Sequence, residues 1–317
     1  MIIEQESTEG IALDHAASSA TNASRTPRGE STSPRAPEPR TPRLGFAGVP
    51  RRWFAGSAAA TQIANGVNLL FPSGERFFVR SVRHYLDQLE DPELIAQVRG
   101  FFGQEGRHAQ AHERFFDTLR EQGYDIDAIL GPVDAIAYGK IEKYATPGLR
   151  LAVTVALEHF TAIMAEDALA GGDLAGAHPI MRQLLEWHAL EELEHKAVAF
   201  DVLQAVNPSY MLRIAGMALA TASMGAFWIY ATRALLAQDG MSLRDAARDL
   251  TKLRRMAEKA GLHTAKPIVT RVFLRGILEY LEPSFHPNDK DHRKVFEETL
   301  ARLQREGVVD GLEAAAE

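Results

Sequence analysis

The chain has 317 residues, of which 46% are hydrophobic and 24% charged, the mix of an ordinary globular protein of one large domain or two small ones. It contains no cysteine. That excludes disulfide frameworks, thiolate zinc sites, iron–sulfur clusters and cysteine nucleophiles, so any metal must be held by His, Asp and Glu. The net charge of −7 argues against a broad nucleic-acid-binding surface. No N-terminal stretch has the order of a secretory signal, so the expected compartment is the cytoplasm.

Residues 1–48 are rich in Ser, Thr, Pro, Arg and Ala and show no apolar periodicity. Such a segment buries too little surface to offset its ordering entropy, and it reads as a disordered tail. Residues 49–310 read as one helical domain. Runs of alternating β-branched residues bounded by turns are missing, so no sheet is expected.

Helices are expected near 57–70, 73–89, 92–123, 147–170, 178–206, 208–238, 242–260, 265–281 and 289–305. The breakers between them are Pro72-Ser73-Gly74, Asp91-Pro92, Gly123, Thr146-Pro147-Gly148, Gly171-Gly172-Asp173, Pro179 and Asn207-Pro208. Long helices with short connections point to antiparallel packing: an all-α, ferritin-like four-helix bundle with additional C-terminal helices. Residues 214–232, IAGMALATASMGAFWIYAT, carry no charge. They are near the lower limit for a membrane span. The plain expectation is a helix buried against the bundle; the alternatives are a membrane-surface or partner-binding element, or a span.

Chemistry concentrates on four of these helices. Glu105-Gly106-Arg107-His108 and Glu192-Leu193-Glu194-His195 are both E-x-x-H. Residues three apart share a helix face, so each pair aims a carboxylate and an imidazole at one point. One such pair arises easily by chance; the arrangement carries more weight. In ferritin-like dinuclear bundles two helices give one Glu each and two give E-x-x-H. This chain offers Glu75, then Glu105 with His108, then Glu158, then Glu192 with His195.

The levels also agree. Glu75 and Glu105 lie equally far from a turn near residue 90, and Glu158 and Glu192 equally far from one near residue 175. At about 1.5 Å per residue, antiparallel partners then meet at one height. Glu158 sits in an otherwise apolar stretch, where a carboxylate is costly unless paired or metal-bound. Bridging falls most naturally to Glu105 and Glu192, or to Glu158.

Two further histidines lie on the same faces. His188 precedes Glu192 by four residues, and His112 follows His108 by four. Either is a third nitrogen ligand or a donor behind the ligands, and either serves as general acid/base if it is not a ligand. His159 and His286 read as structural. Glu191 and Glu194 point off the ligand face and are expected to meet solvent or neighbours such as Lys196. The donor set suits two metal ions, iron first, with manganese or zinc as alternatives.

The stretches FPSGERFFVRSVRHYLDQLEDPELIAQVRGFFGQEGRHAQAHERFF, WHALEELEHKAVAFDV and YLEPSFHPND resemble the bacterial proteins catalogued as predicted metal-dependent hydrolases. The resemblance spans roughly residues 50–305 and implies a metal more securely than a hydrolysis. The site alone is also similar to that of the di-iron arylamine N-oxygenases. That likeness implies His188, Glu192 and His195 as a three-ligand helix, with Glu75, Glu105, His108 and Glu158 as the remaining ligands and no such role for His112.

The favoured expectation is a di-iron oxygenase or oxidase acting on a small apolar or aromatic substrate with an electron donor as partner. Phe101, Phe102, Phe160 and Ala156 would line its cavity. The alternative is a metal-dependent hydrolase. A non-catalytic metal store is the third class.

Overall fold

A computed structural model describes residues 36–170, 173–259 and 273–310. The tail expected over 1–35, the Gly171-Gly172 stop and the first part of the helix expected at 265–281 lie outside the described residues. From Ala58 onward the described residues are predominantly helical; residues 36–57 are irregular, and among the described residues the only β pairing is an isolated bridge between Phe54 and Ala177. This is the expected all-α bundle.

Four helices form its centre: α2 (Phe71–Arg83), α3 (Pro92–Glu121), α6 (Pro147–Ala170) and α7 (Pro179–His195). Helix α2 packs along α3 and α6 along α7, and the pairs meet through α2–α6 and α3–α7. The sequence signals explain the boundaries. Asp91 caps α3 by accepting from Glu93 N at 2.9 Å, with Pro92 in the first turn. Gly123, at φ +88°, ends it in the left-handed region. Around the centre lie α1 (Ala58–Asn68), α8 (Val198–Val206), α9 (Tyr210–Gln238), α10 (Leu243–Lys259), α11 (Arg275–Tyr280) and α12 (Arg293–Arg305).

Three local expectations are corrected. Residues 123–147 hold a helix, α4 (Asp127–Ile136), that continues through a wide π turn over Ala137–Ile141 into α5 (Glu142–Tyr144). Gly131-Pro132 in its middle conceals it in the sequence. The single helix expected at 178–206 is broken at Lys196–Ala197 into α7 and α8. The tail expected to run to residue 48 is packed from residue 36 onward. Leu44 and Phe46 are buried in a core with Phe115, Phe116 and Trp53. Alternate residues of this strap, Pro42, Leu44 and Phe46, turn inward, which a compositional reading overlooks.

The helix containing 214–232 is also not the buried element expected. Helix α9 packs on α6 and α1, yet only 28% of its most apolar window is buried, against 72% for α6. Both helices are long and apolar enough to cross a membrane by length and composition. The inner face of α9 carries Met217, Ala220, Met224, Ala231 and Leu235; Leu219, Ile229 and Tyr230 face outward. Gly216 lets α9 approach closely, because a Cβ there would strike the Ala152 backbone.

The apolar side chains divide into two main clusters along the bundle. One holds Phe77, Val98, Phe101, Leu151 and Val198. The other holds Leu69, Phe115, Leu184, Trp187 and Leu190. His112 and His188 lie among residues of the second cluster, while Glu75, Glu105, His108, Glu192 and His195 fall in the sequence intervals between the two.

Candidate metal centre

Four carboxylates and three imidazoles converge there, all 3% exposed or less. Glu75 comes from α2, Glu105 and His108 from α3, Glu158 from α6, and His188, Glu192 and His195 from α7. His195 Nε2 lies 3.2 Å from Glu105, 3.4 Å from Glu158 and 3.6 Å from Glu192. His108 Nδ1 lies 3.6 Å from Glu192 and 3.9 Å from Glu105. His188 Nε2 lies 2.8 Å from Glu192 and 3.6 Å from Glu75. The structure therefore brings together all seven residues that the sequence singles out as ligands.

Both oxygens of Glu75, Glu105 and Glu158 are buried without a hydrogen bond, as are Glu192 Oε2, His108 Nδ1 and His195 Nε2. Orphaned polar atoms of this kind are rare in folded proteins and demand a partner. Donor atoms of Glu75, Glu105 and His108 lie within 4.8 Å of one another, and so do those of Glu105, Glu192 and His195. This is room for a cation among oxygen and nitrogen donors.

The outer nitrogens explain how the histidines are aimed. His108 Nε2 donates to Glu191 Oε2 at 3.1 Å, leaving Nδ1 with a lone pair toward the carboxylates. Gln104 sends its amide nitrogen to Glu194 and to the Glu38 carbonyl, so its oxygen accepts from His195 Nδ1 at 2.8 Å. His195 Nε2 then faces the site. Asn68 donates to the Ala64 carbonyl, so its oxygen accepts from His112 Nδ1 at 2.9 Å. His112 Nε2 in turn accepts from His188 Nδ1 at 2.7 Å. His188 Nε2 is left with its lone pair 2.8 Å from Glu192 Oε1. A proton or a metal cation between the two atoms would satisfy both. An acceptor behind each imidazole, fixing which nitrogen faces inward, is how metal-ligating histidines are held.

The charges are mutually strained. Burial, and then the neighbouring carboxylates, push Glu75 and Glu105 well above the usual carboxylate range. Burial raises Glu158 to about 7. Burial opposes ionisation of His195 and Glu192 too, but their attraction for each other wins: Glu192 is held well below its ordinary value and His195 well above. Burial and the other imidazoles lower His108 and His112. A divalent cation would relieve the carboxylate repulsion and replace protons on the inward nitrogens.

A model of the family of predicted metal-dependent hydrolases matches residues 38–291. The chain belongs to this family. No curated protein and no solved structure matches it. The matched range takes in every residue of the cluster, so the chain is a member of a metal-dependent enzyme family with a buried His/Glu site able to hold a metal.

Some members of the centre were not anticipated. Glu191, expected to face outward, is fully buried, and burial raises it to about 8 despite Arg40. Arg40 donates its backbone N–H to Glu191 Oε1 at 2.9 Å and its guanidinium to Glu194 at 2.7 and 3.1 Å. The strap is therefore part of the centre's supporting structure. The strap also crosses α3 at Gly100 and Gly103, where any Cβ would strike Pro37 or Pro39. Lys196 takes no part: it donates to the Lys290 carbonyl at 2.8 Å and lies 2.8 Å from His292 Nδ1. His159 donates to the Gly276 carbonyl at 2.9 Å, and His286 pins its loop to Asp201 at 2.8 Å, so both are structural as expected. Phe101 packs its ring edge-on 5.1 Å from His195, and Phe71 lies 4.3 Å from His188.

Proposed function

We propose that this family member is a dinuclear metal enzyme, with iron as the resident metal, that carries out oxygen-dependent chemistry on a small apolar substrate. The observation that supports it is the donor set: three imidazoles held from behind by outer hydrogen bonds, facing four buried carboxylates of which seven oxygens have no hydrogen-bond partner. Four carboxylates carry a charge matched by two divalent ions. Glu75, Glu105 and His108 would hold one ion, and Glu105, Glu192 and His195 the other, with Glu105 common to both groupings and suited to bridging; Glu158, 3.4 Å from His195 Nε2, would join the second. His188 would add a third nitrogen.

Iron in such a donor set supplies one-electron and oxygen chemistry, which calls for an electron-donating partner. The protein's own part is to fix and dry the site. Glu191, Gln104 and the Asn68–His112 pair orient the imidazoles, while Phe71 and Phe101 exclude water from the two ends.

Family membership favours a second reading, metal-dependent hydrolysis. There the metal supplies activated water, and the hydrogen-bonded His112–His188 pair would move the proton. Oxygen uptake by ferrous-loaded protein decides between them. The first reading expects an oxygen-dependent optical change that Glu105→Ala abolishes. Ester hydrolysis by zinc- or manganese-loaded protein without oxygen, together with an iron form silent toward oxygen, would establish the second.

A further inference from the structure

Beside the centre lies an apolar cavity of about 210 Å³, walled by α2, the α4–α5 segment, α6 and α9. Glu75 forms part of its wall, so the cavity reaches the metal centre. On α6 the lining residues Arg150, Val153, Leu157 and Thr161 recur every three or four positions, a single helix face. That face runs from the helix start past the level of Glu158. Eight residues separate Arg150 from Glu158, about 12 Å at about 1.5 Å per residue. The cavity is therefore elongated, with the metal centre toward one end and Arg150 at the other.

At the Arg150 end the guanidinium is incompletely paired. Glu142 is satisfied by Arg80, which meets it with two parallel bonds of 2.8 and 2.7 Å. Arg150 NH1 stays 3.8 Å from Glu142, and its Nε is buried without a hydrogen-bond partner. A guanidinium presenting an unmet donor to an apolar tunnel matches a carboxylate headgroup. Asp134 also lines the cavity, but it borders as well the separate outer groove that holds Arg76 and Arg120. The cavity walls include Ile141, 58% exposed, and Leu219, 42% exposed, so its mouth is apolar as well.

We infer that the substrate class is a linear, medium-chain carboxylate whose headgroup sits on Arg150 and whose chain points toward the metal centre. This rests on the proposed enzymatic reading of that centre. An extended chain advances about 1.2 Å per bond, judged from about 3.5 Å per three-bond residue. A span of about 12 Å then takes about ten bonds, a chain of roughly eight to twelve carbons.

Calorimetric titration of the full-length protein, metal-loaded and chelator-stripped, with octanoate, decanoate, dodecanoate and decanol below their micelle concentrations tests this. Decanoate should bind both forms. Arg150→Gln should weaken it at least about tenfold while changing decanol less than about threefold, and Arg150→Lys should retain most of the affinity. Leu157→Trp, which fills the cavity, should weaken both ligands. Circular dichroism of each variant confirms its fold, and metal content is measured on the same samples. Absence of decanoate binding in protein that carries its metal overturns the inference and leaves the metal centre standing. Equal decanoate affinity in wild type and Arg150→Gln also overturns it. Arg150-dependent binding in protein that never takes up metal would uphold the cavity and overturn the enzymatic reading instead.

Discussion

Glu191 and Glu192 are neighbours in sequence with opposite duties. Glu192 faces the cluster; Glu191 holds the far nitrogen of His108 from behind and is itself held by Arg40. Nothing in the sequence marks Glu191, because an acid one position off a ligand face ordinarily meets solvent. Helix α7 is buried on that side too, so the rule fails. Glu191→Ala should lower metal affinity about 10- to 100-fold, the usual consequence of removing the group behind a ligating imidazole. Competition with a chromophoric chelator measures it, and unchanged affinity would remove Glu191 from the centre. Glu166, held by His292 and Lys290, contributes to stability. Glu166 is held at about 2 by His292, against the opposing effect of partial burial, with Lys290 adding to the pull. Its folded value is depressed, so its contribution is present above about 4.5 and is lost as pH falls toward about 2. Glu166→Gln should lower the melting temperature at pH 6 and flatten its fall between pH 4.5 and 2. Parallel wild-type and variant curves would contradict this.

Among the elements, the strap over residues 36–46 departs furthest from expectation. Its composition reads as disorder, and composition is what sequence inspection weighs first. Its few apolar residues alternate inward, and Phe46 lies 5.6 Å from Phe115, ring to ring. Phe46→Ala should cost about 3 to 5 kcal/mol, the range for a buried aromatic. Chemical denaturation measures it, and a loss near zero would return the strap to the status of a loose tail. Helix α9 departs in the other direction: its uncharged run suggests burial, but close contact through Gly216 and Gly66 secures one face and leaves the other open. Hydrophobic content alone does not say how many faces of a helix are covered.

At the scale of the molecule, the four helices that carry the buried carboxylates were legible because antiparallel partners must match in height. Glu75 with Glu105 and Glu158 with Glu192 satisfy that condition about their turns, and the structure draws Glu75, Glu105 and Glu192 together, with Glu158 joined to them through His195 at 3.4 Å. Both E-x-x-H pairs needed only helical periodicity. What the sequence could not show is long-range: the amide of Gln104 behind His195, Asn68 and His112 behind His188, and Arg40 behind Glu191. Each bond joins residues distant in sequence or on separate helices, and no local spacing encodes it. These bonds give the inward lone pairs on which the central claim rests. Elemental analysis of the full-length protein expressed without added metal, beside Glu105→Ala and Glu192→Ala, measures whether a metal fills this cluster. A filled dinuclear site gives about two metal ions per chain, with iron predominant, and clear loss in both variants. A wild-type protein that holds no metal even after loading, or variants that hold as much as wild type, would contradict it.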